Sequence, residues 1–349
     1  MASTRAYAVR APGARLEPFT LERRAPGAHD VVIDVDFCGI CHSDVHQARQ
    51  EWGPSQFPMV PGHEIAGRVS AVGSAVTRFA PGELVGVGCM VDSCRTCDPC
   101  AKGTEQFCER GCAWTYNGTE MDRVTPTFGG YSQRIVVAES FVLRIPAGLS
   151  AAEAAPLLCA GITTWSPLRE WGCGPGVRIA VAGLGGLGHM AVRLAASMGA
   201  EVTVLSSNES KRVDARRLGA HAFESVADPA RLATLAGRFD LLLDTVSAPH
   251  DVDAYLGTLR PFGAMVLVGA PPAPAAVSAF ALIHGNRRLA GSSIGSIAGT
   301  QEMLDYCAAR GVVPEIERIP IQQANEAWDR LVRGDVRLRF VIDNTSLDR

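Results

Sequence analysis

At 349 residues the chain is too long for one ordinary hydrophobic core, so two domains are expected. With 47% hydrophobic and 20% charged residues it reads as a soluble globular sequence able to bury a large core. A net charge of -3 with interspersed acids and bases speaks against a nucleic-acid face or an acidic tail. The N-terminus lacks a signal-peptide core and no apolar run reaches membrane length, so a cytoplasmic protein with no nucleic-acid or membrane partner is expected. Eleven cysteines cannot all pair, and cytosolic thiols stay reduced, which leaves metal binding, catalysis or burial.

Residues 5–37 read as short strands between Gly/Pro turns. In the last, over 31–37, Ile33, Val35 and Phe37 alternate with Asp34 and Asp36. It delivers the chain to Cys38-Gly-Ile-Cys-His-Ser-Asp-Val-His46, followed by Pro61-Gly-His-Glu64. A catalytic zinc takes three Cys or His ligands and keeps one position open, with acids behind to orient the ligands. Cys41 and His63 are the natural pair, and Asp44 and Glu64 the candidate orienting acids. The competing reading is a loop with buried thiols and surface histidines. Ser43-Asp44 can cap a short helix to residue 49, placing Ser43 and His46 three apart on one face. Strands are predicted over 64–72 and 83–88, which with the Gly/Pro turns suggests a small β-rich, barrel-like domain.

Cys94, Cys97, Cys100 and Cys108 have the spacing of a closed tetrahedral zinc site, which contributes folding energy and no chemistry. Arg95 and Lys102 are placed to offset its negative charge. A nucleic-acid zinc ribbon would need a basic, aromatic surface that this segment lacks. A strand over 131–138 leads to a helix-rich region from 151. Cys159 there is a core residue by default, and becomes a ligand only in company with Cys41 and His63.

A buried-strand pattern over 177–182 precedes Gly183-Leu184-Gly185-Gly186-Leu187-Gly188, then a helix over 187–198 and a strand over 201–205. Strand, glycine turn and helix in this order are the context of a dinucleotide site, with flavin and S-adenosylmethionine as the alternatives. After the second strand, Ser206, Ser207 and Asn208 stand where an NAD site carries an acid, and Lys211 and Arg212 follow. Hydroxyls and cations suit a 2′-phosphate, so NADP is favoured over NAD. Strands over 239–246, 264–269 and 288–292 and a helix over 250–259 continue a parallel sheet. The chain closes with helices over 301–310 and 324–333 and strands over 316–320 and 336–342.

These words, with Leu158-Cys-Ala-Gly-Ile-Thr163 and Arg339-Phe-Val-Ile-Asp343, resemble the zinc-dependent medium-chain dehydrogenase/reductases over essentially the whole chain. The likeness is strongest to the cinnamyl alcohol dehydrogenase-like branch of that alcohol dehydrogenase superfamily. The resemblance implies an α/β chain. A GroES-like β-rich catalytic domain comes from 1–153 and 293–349, and a doubly wound parallel-sheet (Rossmann) cofactor domain from 154–292. It implies two zinc ions per chain, the catalytic one on Cys41, His63 and Cys159 with Glu64 as a transient fourth ligand. It assigns Ser43 and His46 to a proton relay. It assigns Thr163, the turn from Gly183 to Gly188, Ser206, Ser207, Lys211, Thr245, Gly269 and Ile294 to NADP(H).

The implied activity is hydride transfer between NADPH and an aromatic or medium-chain aldehyde or its alcohol, by a homodimer. Two alternatives are reduction of an iminium or activated alkene, and a non-catalytic NADPH-binding protein. Ser293 stands where relatives carry a larger apolar residue, which implies a wider pocket. Trp52, Trp114 and Tyr116 are pocket or packing aromatics.

Overall fold

The computed structural model describes residues 2–334 and 339–348 and divides the chain into two compact units. One gathers the chain up to Ile162 and again from Gly295; the other runs Thr163–Ile294.

The first unit is organised on strand Asp30–Gly39, whose Val31, Ile33 and Val35 are buried. It pairs antiparallel with Ile65–Val72, Arg134–Ala138 and Arg339–Asp343. Leu84–Val87 extends the sheet on one side and Ile316–Pro320 on the other. The last strand, Arg339–Asp343, thus lies against one that begins at residue 30, so the two ends of the chain share a core. Residues 336–338 of the expected strand 336–342 lie outside the described residues.

Register decides where the chemistry falls. Cys38 is opposite Ile65 in one pair and Ile342 in the other. The chain leaving the central strand towards Cys41 and the chain arriving through His63-Glu64 therefore meet at one sheet end. Bulges between Val32/Ile33 and Val35/Phe37 bend this pairing.

The helix cap stands two residues before the expected Ser43. The helix is His42–Ala48 with Cys41 as its N-cap, and Asp44 at the third helical position accepts from the Cys41 N–H at 2.9 Å. Helix Ala151–Pro156 starts from a capping box, Ser150 Oγ accepting from the Glu153 N–H at 3.3 Å. It then widens into a π-helical turn, Leu157–Gly161, with Cys159 at its centre. Single π turns recur at functional positions because the extra residue re-aims a side chain.

The second unit is a six-stranded parallel sheet. Its order is Ala222–Ser225, Glu201–Ser206, Arg178–Ala182, Phe239–Asp244, Leu259–Leu267, Arg288–Gly291. This is the doubly wound dinucleotide-binding order, its strand sequence reversing beside Arg178–Ala182. Strand Ala222–Ser225 is not anticipated by the sequence reading; at four residues, with only Phe223 buried, it is too short to show a period. Among the described residues no helix is long and apolar enough to cross a membrane.

Candidate active site

Cys41, His63, Glu64 and Cys159 come together, all buried, with one ligand atom from each within 4.8 Å of the others. The Cys41 and Cys159 sulfurs are 3.9 Å apart. Each residue arrives by a local device: Cys41 as a helix N-cap, His63-Glu64 on the turn before strand Ile65–Val72, and Cys159 on the π turn. Gly62 makes that turn at φ +101°, where an added Cβ would stand 2.6 Å from Cys38 Sγ and 2.7 Å from the Tyr131 ring.

Asp44 ties these pieces together. Its Oδ2 accepts from the Cys41 N–H at 2.9 Å and the Tyr131 hydroxyl at 3.2 Å. Its Oδ1 accepts from the Gly62 N–H at 3.2 Å and lies 3.5 Å from His63 Nδ1. With Nδ1 turned to Asp44, Nε2 is the His63 atom left for a metal.

The residues fit a divalent cation. Glu64 pairs one carboxylate oxygen with Arg339, while Oε2 is buried without a hydrogen-bond partner among the described residues. Burial pushes the Glu64 carboxyl up to about 7 against the pull of Arg339. The contact with Cys159 draws the Cys41 thiol well below the usual thiol range, with His63 adding to the effect; the same contact pushes Cys159 up. Burial alone would lower His63, yet Cys89, Asp44 and Cys41 together hold it well above the ordinary imidazole value. Thiols, an imidazole and an orphaned carboxylate oxygen crowded out of water suit a shared cation, and two sulfurs with one nitrogen select zinc. Cys89, whose thiol is lowered by its contact with Cys159, adds a sulfur beside the cluster that its solitary position does not signal.

Ser43 Oγ is 3.4 Å from Cys41 Sγ. His46, on the same helix, stacks between His42 (5.2 Å between centroids) and Trp52 (4.5 Å). Its Nδ1 contacts the Glu51 carboxylate, while Nε2 is buried with no hydrogen-bond partner among the described residues. Glu51 is missed by the sequence reading, since an acid just past a helix end is unremarkable until the fold turns it back. Of the three aromatics, Tyr116 is buried and stacks on His63 (5.6 Å, 15°), whereas Trp52 and Trp114 are 42% and 43% exposed.

Cys94, Cys97, Cys100 and Cys108 also converge within 4.8 Å. Backbone N–H groups serve the sulfurs: Cys97 N donates to Cys94 Sγ at 3.3 Å and Cys94 N to Cys108 Sγ at 3.4 Å. The Thr96 and Cys97 N–H groups bring the Cys94 thiol down to about 6. Arg95 and Lys102, expected to offset the charge of the sulfurs, are each paired with a carboxylate three or four residues away, Asp92 at 2.8 Å and Asp98 at 2.6 Å.

In the second unit two glycines of the turn have distinct reasons. An added Cβ on Gly188 would meet the Gly183 carbonyl oxygen at 2.2 Å, so this position lets helix Gly186–Ser197 close on the sheet. Gly185, the helix N-cap, has nothing within 4 Å of that point and is exposed, which leaves the helix N-terminus open to a phosphate. Leu184 is buried and Leu187 half-buried. Thr245 Oγ1 donates to the Ala182 carbonyl at 2.8 Å, and Gly269 packs where a Cβ would meet Val246 O at 2.3 Å.

Lys211, half-buried, reaches back to the Leu184 carbonyl at 2.9 Å, and burial lowers its pKa. Ser206 is buried at the strand end and Ser207 exposed beside it. Arg212 is committed elsewhere, paired with Glu209 and stacked over Phe223 at 4.7 Å, so Lys211 is the cation of this pair left near the turn. Thr163 and Ile294 are the first and last residues of the unit, Ile294 at φ +39° and Ser293 exposed before it.

A Cys₂His cluster with acids behind it, in a chain that also carries a doubly wound nucleotide fold, defines a zinc-dependent oxidoreductase. Residues 27–147 match the alcohol dehydrogenase GroES-like domain and 186–309 the zinc-binding dehydrogenase domain, and the chain belongs to the zinc-dependent medium-chain dehydrogenase/reductases, in their cinnamyl alcohol dehydrogenase-like branch. It is 55% identical over 348 residues to NADP-dependent alcohol dehydrogenase C 1 of Mycolicibacterium smegmatis, covering 99% of each chain. It is 50% identical over 345 residues to an aldehyde reductase of Escherichia coli strain K12, covering 98% of this chain and 97% of that one. A solved cinnamyl alcohol dehydrogenase from Sorghum bicolor superposes with a TM-score of 0.96 at 44% identity, covering 99% of this chain and 98% of the other.

Proposed function

We propose that the chain is a zinc- and NADP(H)-dependent alcohol dehydrogenase that transfers hydride between NADPH and an aromatic or medium-chain aldehyde. The first unit is its catalytic part and the second its cofactor-binding part. The observation that carries this is the convergence of Cys41, His63, Glu64 and Cys159 with an orphaned Glu64 oxygen. The named activities of the two curated relatives support it.

Cys41, His63 and Cys159 would hold the catalytic zinc, and Cys94, Cys97, Cys100 and Cys108 the structural one. When bound, the catalytic zinc supplies Lewis acidity and the nicotinamide supplies hydride. The protein's own groups handle orientation and the proton. Asp44 fixes the His63 ring through Nδ1. The Ser43 hydroxyl, next to Cys41, is the group placed to give a proton to the product oxygen. His46, its Nδ1 held by Glu51, would resupply that proton from Nε2 by way of the cofactor ribose. Intact Cys41, Ser43, His46, Glu64 and Cys159 favour carbonyl chemistry over imine or alkene reduction. Gly185 leaves room for the pyrophosphate, and Ser206, Ser207 and Lys211 would receive the 2′-phosphate. Ser293 in place of a larger side chain supports a broad rather than strictly cinnamyl preference.

The homodimer is part of the same reading. Arg288–Gly291 ends the sheet order, and Phe262, Phe280 and Ile283 are exposed in the same unit, which supports pairing with a second copy. The deciding experiment measures NADPH oxidation over aromatic, aliphatic and terpenoid aldehydes, with NADH as control and zinc counted per chain. About two zinc ions and NADPH-dependent turnover are expected. A chain with zinc and bound NADPH but no turnover on any aldehyde would refute the reading.

A further inference from the structure

Asp44 is completely buried; three of its contacts belong to the chain segments that carry Cys41 and His63, and Tyr116 bonds to it as well. A further donor, the Tyr131 hydroxyl, comes from 87 positions away. Tyr131 is itself fully buried, and its oxygen accepts from Trp328 Nε1 at 3.3 Å, on helix Ala324–Val332 near the other end of the chain. Packing does not call for this hydroxyl. The backbone beneath it is already fixed by Gly129 N to Val60 O at 2.8 Å, Gly130 N to Gly62 O at 2.9 Å and Tyr131 N to Pro61 O at 3.0 Å. A phenylalanine would fill the same space without bringing a polar group out of water.

We infer that Tyr131 and Trp328 are positioning residues for the catalytic metal, a hydrogen-bonded chain that fixes the aim of Asp44 on His63. The indole N–H polarises the phenol O–H, which donates more strongly to Asp44 Oδ2. With that oxygen held by Tyr131 and the Cys41 N–H, Oδ1 stays directed at Gly62 and His63 Nδ1. Without the Tyr131 hydroxyl, Oδ2 loses one of its donors and keeps the Cys41 N–H. The carboxylate then rotates more freely, and the His63 ring that it aims is held less firmly. The inference rests on the zinc reading proposed above.

The test uses full-length zinc-loaded protein as wild type, Tyr131→Phe and Trp328→Phe. Zinc per chain is followed during dialysis against a chelator, and the visible spectrum is recorded after cobalt exchange into the Cys41, His63 and Cys159 site. Tyr131→Phe should lose one zinc about tenfold faster, the usual effect of disturbing a group behind a metal ligand. It should also shift the cobalt bands while the second zinc stays. Trp328→Phe should move both readouts the same way by less, and carries the test if Tyr131→Phe does not fold. Zinc retention and a cobalt spectrum equal to wild type would overturn the inference. A wild type with no metal at this site would instead sink the proposed function, and this inference with it.

Discussion

Arg339→Met isolates a buried charge. Arg339 and Glu64 pair directly and are 6% and 0% exposed, and Arg339 also feels the Cys41 and Cys159 sulfurs. Removing the cation strands the carboxylate, and breaking one side of a buried pair costs about 3–5 kcal/mol. A cooperative unit of roughly 200 residues shifts by about 2–4 °C per kcal/mol, so the midpoint of the first unit should fall by about 6–20 °C.

Protonation is the relief open to Glu64, whose carboxyl already stands near 7 through burial with Arg339 opposing. Its folded value lies above its unfolded one, so this group favours the fold at low pH and loses that contribution as pH rises through about 7. In Arg339→Met the loss continues to higher pH, so its deficit against wild type should be larger at pH 8.5 than at pH 6. Urea unfolding at both pH values, with Arg339→Met/Glu64→Met alongside, separates charge from packing. The double variant should be more stable than the single one, because no charge is left unpaired. A single-variant cost under about 1 kcal/mol, or a double variant no better than the single, would refute the reasoning.

Gly39→Ala would place a Cβ 1.9 Å from Glu64 Oε2; displacing that carboxylate should cut turnover at least about tenfold with zinc still bound, read as kcat beside a metal count. Lys211→Met should raise the KM for NADPH about tenfold or more and leave the KM for NADH unchanged; an equal effect on both would remove Lys211 from 2′-phosphate recognition. In the second unit Asp244 lies 3.0 Å from His250 Nε2, and this carboxylate raises the histidine's pKa. A raised histidine favours the fold below its unfolded value and loses this as pH rises through the folded one. His250→Asn should therefore flatten the fall in thermal midpoint just above neutrality, and an unchanged slope would count against the pair.

Much of this was legible because the chemistry sits at chain positions with rigid local grammar. Alternation through Ile33 and Val35 locates the central strand, and its pairing of Cys38 with Ile65 brings Cys41 and His63 together. Four cysteines at short spacing and a glycine turn after a buried strand are equally local signals. What stayed hidden were competitions settled in space. Arg95, Lys102 and Arg212 look like free cations in sequence, yet Asp92, Asp98 and Glu209 take them first. Glu51 reaches His46, Cys89 reaches Cys159 and Tyr131 reaches Asp44 only because the fold returns distant segments, and no spacing rule encodes that.

The two buried acids behind the cluster are held in opposite ways, and the difference bears on their roles. Asp44 has contacts on both oxygens, two of them to the backbone of the segments it orients, so moving it would break several bonds at once. Glu64 is anchored to Arg339 on one oxygen, with the other pressed over the bare Cα of Gly39. Its longer side chain can turn about that single anchor at little hydrogen-bonding cost. The geometry therefore suits Asp44 to constant orientation of His63, and leaves Glu64 the freer carboxylate beside the place where Cys41, His63 and Cys159 would hold a zinc. A mobile Asp44 would let the imidazole drift. The sequence keeps the shorter acid where stillness is needed and the longer one where reach is.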